Sequence, residues 1–287
     1  MGAVYKKEMR GYLTSLSGAI TTAVVLFMAG FVFRLYNLYY GVATFSYALN
    51  ASAIVYYIVT PVLSMRVFAE ERRNRTDQML LTAPAKLSEI VLGKYFAMIT
   101  ILAIPVAVMC LYPLIIHSLG STTYQLDYVL LFAFYLMGCA YLSIGMFLSS
   151  LTESMLAAAI GSILFVFLTQ LISNAYSFIG SSNASCMAFF LILALLAGAL
   201  VYLMTKHKGA AVGTALVLAA VCLLVYRISP SWFGGKTEAV LSLIDFRERF
   251  DTLSNGSLSL PDLAYFVSAA LIGIVLTMQS IQKRRWS

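Results

Sequence analysis

The sequence predicts an all-α, polytopic helical membrane protein of about eight spans, with N- and C-termini on the cytoplasmic side. Three observations predict it. Apolar residues make up 61% of the chain and charged residues 11%, whereas a soluble domain carries about 25% charged residues. The apolar residues gather in charge-free runs long enough to cross a bilayer, which takes about 20 residues. The basic residues, finally, concentrate in the segments on one side of those runs.

The spans can be justified in order. Residues 11–33 carry no charge, and the first span is placed at 14–35, followed by Tyr36, Tyr39 and Tyr40 as an interfacial belt. Lys6, Lys7 and Arg10 precede that run as in a signal peptide. However, 23 uncharged residues exceed an ordinary h-region, and no small-x-small cleavage site follows. Further spans are expected at 46–66, 95–116 and 128–150. Between Glu153 and Lys206 lie 52 residues without a charge, room for two spans at 154–178 and 185–205, divided at Ser181, Ser182 and Asn183. A short span at 209–226, which could instead be a re-entrant or interfacial segment, and a last one at 263–282 complete the set. Pro61, Pro105 and Pro113 fall inside spans and are expected to bend or break them. Small residues four apart (Gly209/Gly213, Ala157/Gly161, Ala194/Gly198) mark expected close helix packing.

Eight spans place both termini on one face. With that face cytoplasmic, 14 of the 19 basic residues lie inside, and only Arg34, Arg227, Lys236, Arg247 and Arg249 lie outside. This is the positive-inside pattern, and it accounts for the net charge of +7 without nucleic acid as a partner. Residues 227–262 form the large extracytoplasmic loop. Within it, Val240, Leu243, Ile244 and Phe250 could form the greasy side of a helix that caps the outer mouth or lies on the headgroups, with Asp245 and Arg249 four apart as a possible pair.

Catalytic chemistry finds little purchase. Cys110, Cys139, Cys186 and Cys222 each lie alone in apolar runs, and His117 and His207 fall on opposite predicted faces. No metal set or catalytic residue is assigned. The spans offer no Asp, Glu or His pair for an intramembrane enzyme and no buried carboxylate for a proton-driven carrier. Gly235-Lys236-Thr237 has Pro230 where a phosphate-binding loop needs Gly. A polar stripe on the fifth span (Gln170, Ser173, Asn174 and Ser177, beside Thr169) could line a pathway, or it could glue helices together.

The chemistry concentrates in a charged island, residues 66–94, holding Arg66, Glu70, Glu71, Arg72, Arg73, Arg75, Asp77, Lys86, Glu89 and Lys94. A bilayer excludes so many charges, so the island is expected in water, where it reads equally as a docking surface for a soluble partner or as an ordinary amphipathic interfacial loop. Residues 68–78 read as an extension of the second span. Pro84 stops the helix, and Ser88 with Glu89 opens the next. The run Glu70-Glu71-Arg72-Arg73-Asn74-Arg75-Thr76-Asp77-Gln78-Met79-Leu80-Leu81-Thr82-Ala83-Pro84, then Ile90-Val91-Leu92-Gly93-Lys94, resembles the segment after the second span of ABC-2 type transporter permeases. The similarity is greatest to the branch of gliding-motility and nitrous-oxide-cluster permeases. A second similarity spans Arg249-Phe250-Asp251, Asn255-Gly256, Pro261-Asp262, Tyr265-Phe266 and the closing Lys283-Arg284-Arg285-Trp286. Two departures stand out. Arg75 occupies the place where that family commonly has Gly before the Thr, and six spans are usual, so 185–226 looks like an inserted pair.

The resemblance implies a single transmembrane permease domain, residues 1–287, in the bacterial cytoplasmic membrane. It implies an interfacial elbow helix at 1–12 and a cytoplasmic coupling segment at 66–94. In that family the segment after span two docks into a separate ATP-binding cassette ATPase. Glu70 to Pro84, including Thr76, would be that contact, with Glu71, Arg72, Arg73 and Arg75 as its charged rim and Met79, Leu80 and Leu81 as its apolar anchor. The chain itself would be no enzyme and would bind no cofactor, with ATP and Mg held by the partner subunit. It would work with a second permease, identical or related, as an exporter in the lipid bilayer. The alternative is an ATP-driven mechanical or scaffold component that moves no solute.

Overall fold

A computed structural model describes residues 1–76, 86–120, 124–179, 245–254 and 259–285, with isolated positions at 191, 213, 216 and 242. Statements about side chains leave out 124, 173–179, 284 and 285. The described elements are helices, and no strand occurs among them. Six stretches are long and apolar enough to cross a membrane: Leu16–Tyr39, Ser46–Arg73, Leu87–Ser118, Gln125–Leu151, Met155–Ile172 and Leu260–Lys283. Each overlaps one of the expected spans. The remaining expected pair, within 185–226, lies outside the described residues. The chain divides into two compact units, Met1–Leu168 with Arg249–Ser287, and Thr169–Glu248.

In the larger unit, α1 (Gly2–Thr14) ends at Ser15, whose extended backbone (φ −97°, ψ 157°) turns the chain into α2 (Leu16–Phe33). A π-helical turn, Arg34–Tyr39, continues α2, and buried Asn37 donates from Nδ2 to the carbonyls of Val42 (2.8 Å) and Thr44 (2.9 Å). The tyrosines of this turn include Tyr39 and Tyr40, which stay exposed as an interfacial belt would. The second stretch is broken: α3 (Ser46–Ser52), a 3₁₀ turn (Ala53–Val55), α4 (Tyr56–Ser64), four non-helical residues, then α5 (Ala69–Arg73).

The third stretch comprises α6 (Leu87–Met109) and α7 (Leu111–Ser118). The interruption at Cys110 has a direct cause. Pro113 lacks the N–H that would reach the Met109 carbonyl, so the helix cannot run straight through. Helix α6 starts at Leu87 behind Lys86 with no side-chain cap, so Ser88 lies inside the helix and does not open it. The long helices that follow are α8 (Tyr124–Leu151) and α9 (Met155–Ile179). Two more are α10 (Phe246–Ser254) and α11 (Leu260–Arg285).

Helix α8 is the hub of the bundle. Its hydrophobic stretch is 72% buried, whereas that of α9 is 28% buried and leaves a broad apolar face for lipid. Close approach to α8 depends on glycines that the sequence pattern did not single out. A Cβ on Gly145 would sit 2.6 Å from Ser64 Oγ, and one on Gly273 of α11 would sit 2.9 Å from the Ser143 backbone carbon. Around Gly161, by contrast, the nearest atom, Leu148 Cδ1, would be at an ordinary 3.7 Å. The expected Ala157/Gly161 contact is therefore not where the described helices come closest. Ala194/Gly198 lies outside the described residues.

Candidate functional site

Burial of charge and the non-helical break in the second stretch meet at one end of the bundle, where α1, α5, the start of α6 and the end of α8 converge. Residues 65–68 contain no Pro or Gly to break a helix. Their irregular backbone is held by side chains from three other helices. Ser149 of α8 accepts at Oγ from the amides of Phe68 and Ala69, each at 3.2 Å, and donates to the Met65 carbonyl at 3.4 Å. Just before the break, the Leu63 carbonyl accepts from the Tyr12 hydroxyl of α1 at 2.9 Å. Burial, and after it the Glu8 carboxylate, push the Tyr12 phenol far above its ordinary range, so it remains a donor. The Val67 carbonyl accepts from Lys94 Nζ at 2.9 Å.

Lys94 is the centre of the site. Although counted among the charges expected in water, it is only 2% exposed. An ammonium has three donors, and here each goes to a different part of the chain. They reach Val67 O, Glu8 Oε1 of α1 at 3.1 Å and Glu71 Oε1 of α5 at 2.7 Å. The Phe68 ring lies 5.1 Å from the ammonium, which adds a cation–π contact. A buried cation survives because it is fully hydrogen-bonded and flanked by two carboxylates. Gly93 clears the way: Val4 Cβ of α1 would lie 3.1 Å from any Cβ placed there.

The other charges of the island divide between inside and outside. Arg72 is buried, and Glu71 faces inward onto Lys94. Arg66 pairs with Glu70 at 2.8 Å, one turn on, near the surface. Arg73, Arg75 and Thr76 are exposed. The expected helical extension to residue 78 stops at Arg73, with Asn74 as its C-cap. The Arg75 amide bonds Arg72 O at 3.0 Å, and the Thr76 amide bonds Glu71 O at 2.9 Å. This is the paired ending that places one residue in the left-handed region. Here that residue is Arg75, with φ 55°. The departure from Gly noted in the sequence therefore falls at a position whose backbone favours Gly. Asp77, Met79, Leu80, Leu81 and Pro84 lie outside the described residues. A cleft of about 140 Å³ beside the site is lined by Glu8, Gly11, Tyr12, Ser15, Ser17, Arg66, Val67 and Glu70.

At the opposite end of the same unit, Asp127 accepts from the Phe45 amide at 3.0 Å. Asn50 of α3 bonds Asp251, and Arg249 pairs with Asp262 at 3.1 Å, where Ser259 also bonds that carboxylate. Phe250 is buried against Phe134, with ring centroids 6.3 Å apart. One expectation is corrected here. Asp127 and Asp262 are buried carboxylates in the first turns of membrane-spanning helices, although none was expected within the spans. Both are satisfied by hydrogen bonds or an ion pair, which keeps burial tolerable. Residues 249–254 pack into the bundle through Phe250 and Leu253. Val240, Leu243 and Ile244 lie outside the described residues.

In the smaller unit, Asp245 caps α10 by accepting from the Glu248 amide at 2.8 Å. Of the candidate pathway residues, Gln170 is buried and accepts from Arg247 Nη1 at 3.1 Å. Ser173, Asn174 and Ser177 lie on the same helix, but their side chains are outside the described set.

Sequence reasoning missed Glu8, Tyr12 and Ser149 as parts of the site. Glu8 is the lone acid among Lys6, Lys7 and Arg10, and that oddity is the one signal available. Compared with known families, residues 2–281 match the family model described as ABC-2 family transporter protein. No curated protein sequence matches the chain.

Proposed function

The chain belongs to the ABC-2 family of transporter proteins and is a multi-pass membrane protein; from that premise we propose that it is the permease subunit of an ATP-binding cassette exporter. A separate ATPase subunit binds ATP and Mg and hydrolyses the nucleotide, and two permeases form the route across the bacterial cytoplasmic membrane. The carrying observation is the match over nearly the whole chain, residues 2–281.

In this reading the segment from Glu70 to Pro84 is the contact with the ATPase, on the cytoplasmic face. The division of the island into buried and exposed charges refines the roles. Arg73, Arg75 and Thr76 are exposed and form the polar rim with Glu70, and Met79, Leu80 and Leu81 supply the apolar centre that protein interfaces favour. Glu71 and Arg72 face the bundle and act as the attachment of that contact to the spans. The elbow helix α1 lies on the inner leaflet. Its Lys6, Lys7 and Arg10 are exposed and meet anionic headgroups, while Tyr12 and Glu8 hold it to the bundle.

Co-purification tests the assignment. The chain purified from its native cells is expected to retain an ATP-binding cassette ATPase subunit, and a variant with Met79, Leu80 and Leu81 replaced by Asp is expected to lose it. Retention by the triple variant, or no ATPase with the unmodified chain, overturns the proposal. Vesicles carrying both subunits separate export from mechanical work by ATP-dependent solute accumulation.

A further inference from the structure

We propose that Lys94 is a force-transmitting joint, through which movement of the coupling segment passes to α6 and the elbow helix and bypasses α4, the helix that precedes it in the chain. The inference rests on the reading of 70–84 as the ATPase contact. It deepens that reading by naming the residues that carry motion onward.

Residues 65–68 break the helix between α4 and α5. A continuous helix would carry a push on α5 straight into α4. Here the backbone hydrogen bonds that would stiffen the link are largely replaced by bonds to Ser149 and Lys94 side chains. The direct connection between α5 and α4 is therefore a pivot. Lys94 bypasses it. Its ammonium is held at 2.7 Å by Glu71 of α5 and at 3.1 Å by Glu8 of α1, and its own backbone is the second turn of α6. A displacement of α5 cannot leave α6 and α1 in place without separating a buried cation from a carboxylate, which is strongly unfavourable.

Two further observations favour a moving joint over a static clamp. The second carboxylate oxygen of Glu71 is buried without a hydrogen-bond partner, so the resting arrangement does not exhaust its bonding capacity. The adjoining cleft of about 140 Å³, lined in part by Glu8, Tyr12, Val67 and Glu70, leaves room for these groups to shift.

Hydrogen–deuterium exchange on the permease–ATPase complex, with and without ATP and Mg, tests the joint. In the unmodified complex ATP is expected to change exchange at residues 2–14 and 87–100 together. Glu71→Gln and Lys94→Met are expected to abolish both responses while the ATPase subunit stays bound. Glu8→Gln, which severs one leg, is expected to abolish the response at 2–14 and to preserve it at 87–100. If Lys94→Met fails to fold, the two glutamate variants decide. The joint is overturned if Glu71→Gln leaves both responses intact, or if Glu8→Gln removes both. An unmodified chain that carries no ATPase overturns the parent reading and the joint with it. A bound ATPase with an unaltered exchange pattern overturns the joint alone.

Discussion

At the Lys94 end of the bundle one ammonium joins three elements, whereas at the opposite end Asp127, Asp251 and Asp262 each secure a different local contact. Both ends bury charge, and both satisfy it. They differ in how the loss of one group spreads. A hub shares its partners, so removing it strands several groups at once. The contacts of Asp127, Asp251 and Asp262 go to different groups, so losing one leaves the others in place. The hub also sits against a break in a helix, while the separate pairs pin the ends of α3, α8, α10 and α11. One end is built so that its parts move together, and the other so that its parts stay put.

The sharpest way to break this comparison is Lys94→Met, which leaves two largely buried carboxylates and a backbone carbonyl without their cation. It is expected to destabilise the chain by about 3–5 kcal/mol, read as a fall in thermal midpoint in lipid nanodiscs; an unchanged midpoint would remove the hub. Next in size is a double-mutant cycle. Glu8→Gln with Glu71→Gln is expected to be non-additive by about 1–3 kcal/mol because they share one partner, while Asp127→Asn with Asp262→Asn adds to within about 0.5 kcal/mol. Equal coupling at both ends would erase the distinction.

Asp262→Asn alone weakens the contacts to Arg249 and Ser259 and is expected to cost about 1–2 kcal/mol, with proteolysis showing the change confined to residues 245–265. Tyr12→Phe removes the donor to the Leu63 carbonyl and is expected to cost about 1 kcal/mol, visible as faster exchange in α1. The smallest expected effect is a gain. Arg75→Gly relieves the left-handed residue and should stabilise the ending of α5 by about 0.5–1 kcal/mol. A lower midpoint for that variant would mean that the Arg75 side chain contributes more than its backbone costs.

Much of the architecture was legible in the chain because a bilayer reads composition directly. Charge-free runs of sufficient length had to become spans, and the six described ones fall where hydropathy put them. The charged island was legible for the same reason. The roles inside it were not. Lys94 was counted with the wet charges because one-dimensional patterning cannot tell a solvated lysine from one whose partners lie 86 and 23 residues away. Asp127, whose partner lies 82 residues away, escaped for the same reason. The break at 65–68 had no local cause to read, since its irregular backbone is stabilised by side chains of α1, α6 and α8 and not by a breaker residue.

What the sequence determined by itself is the solvent each segment requires: apolar runs in lipid, a charged bridge out of it, and a chain order that matches the ABC-2 transporter family. Those properties follow from transfer free energies and hold whatever the neighbours are. Which charge is buried, where a helix gives way and which glycines admit close contact were decided by the tertiary structure. They depend on acceptors and surfaces that come together only when distant parts of the chain pack, and the cost of burying an ammonium is bearable only once Glu8, Glu71 and the Val67 carbonyl surround it.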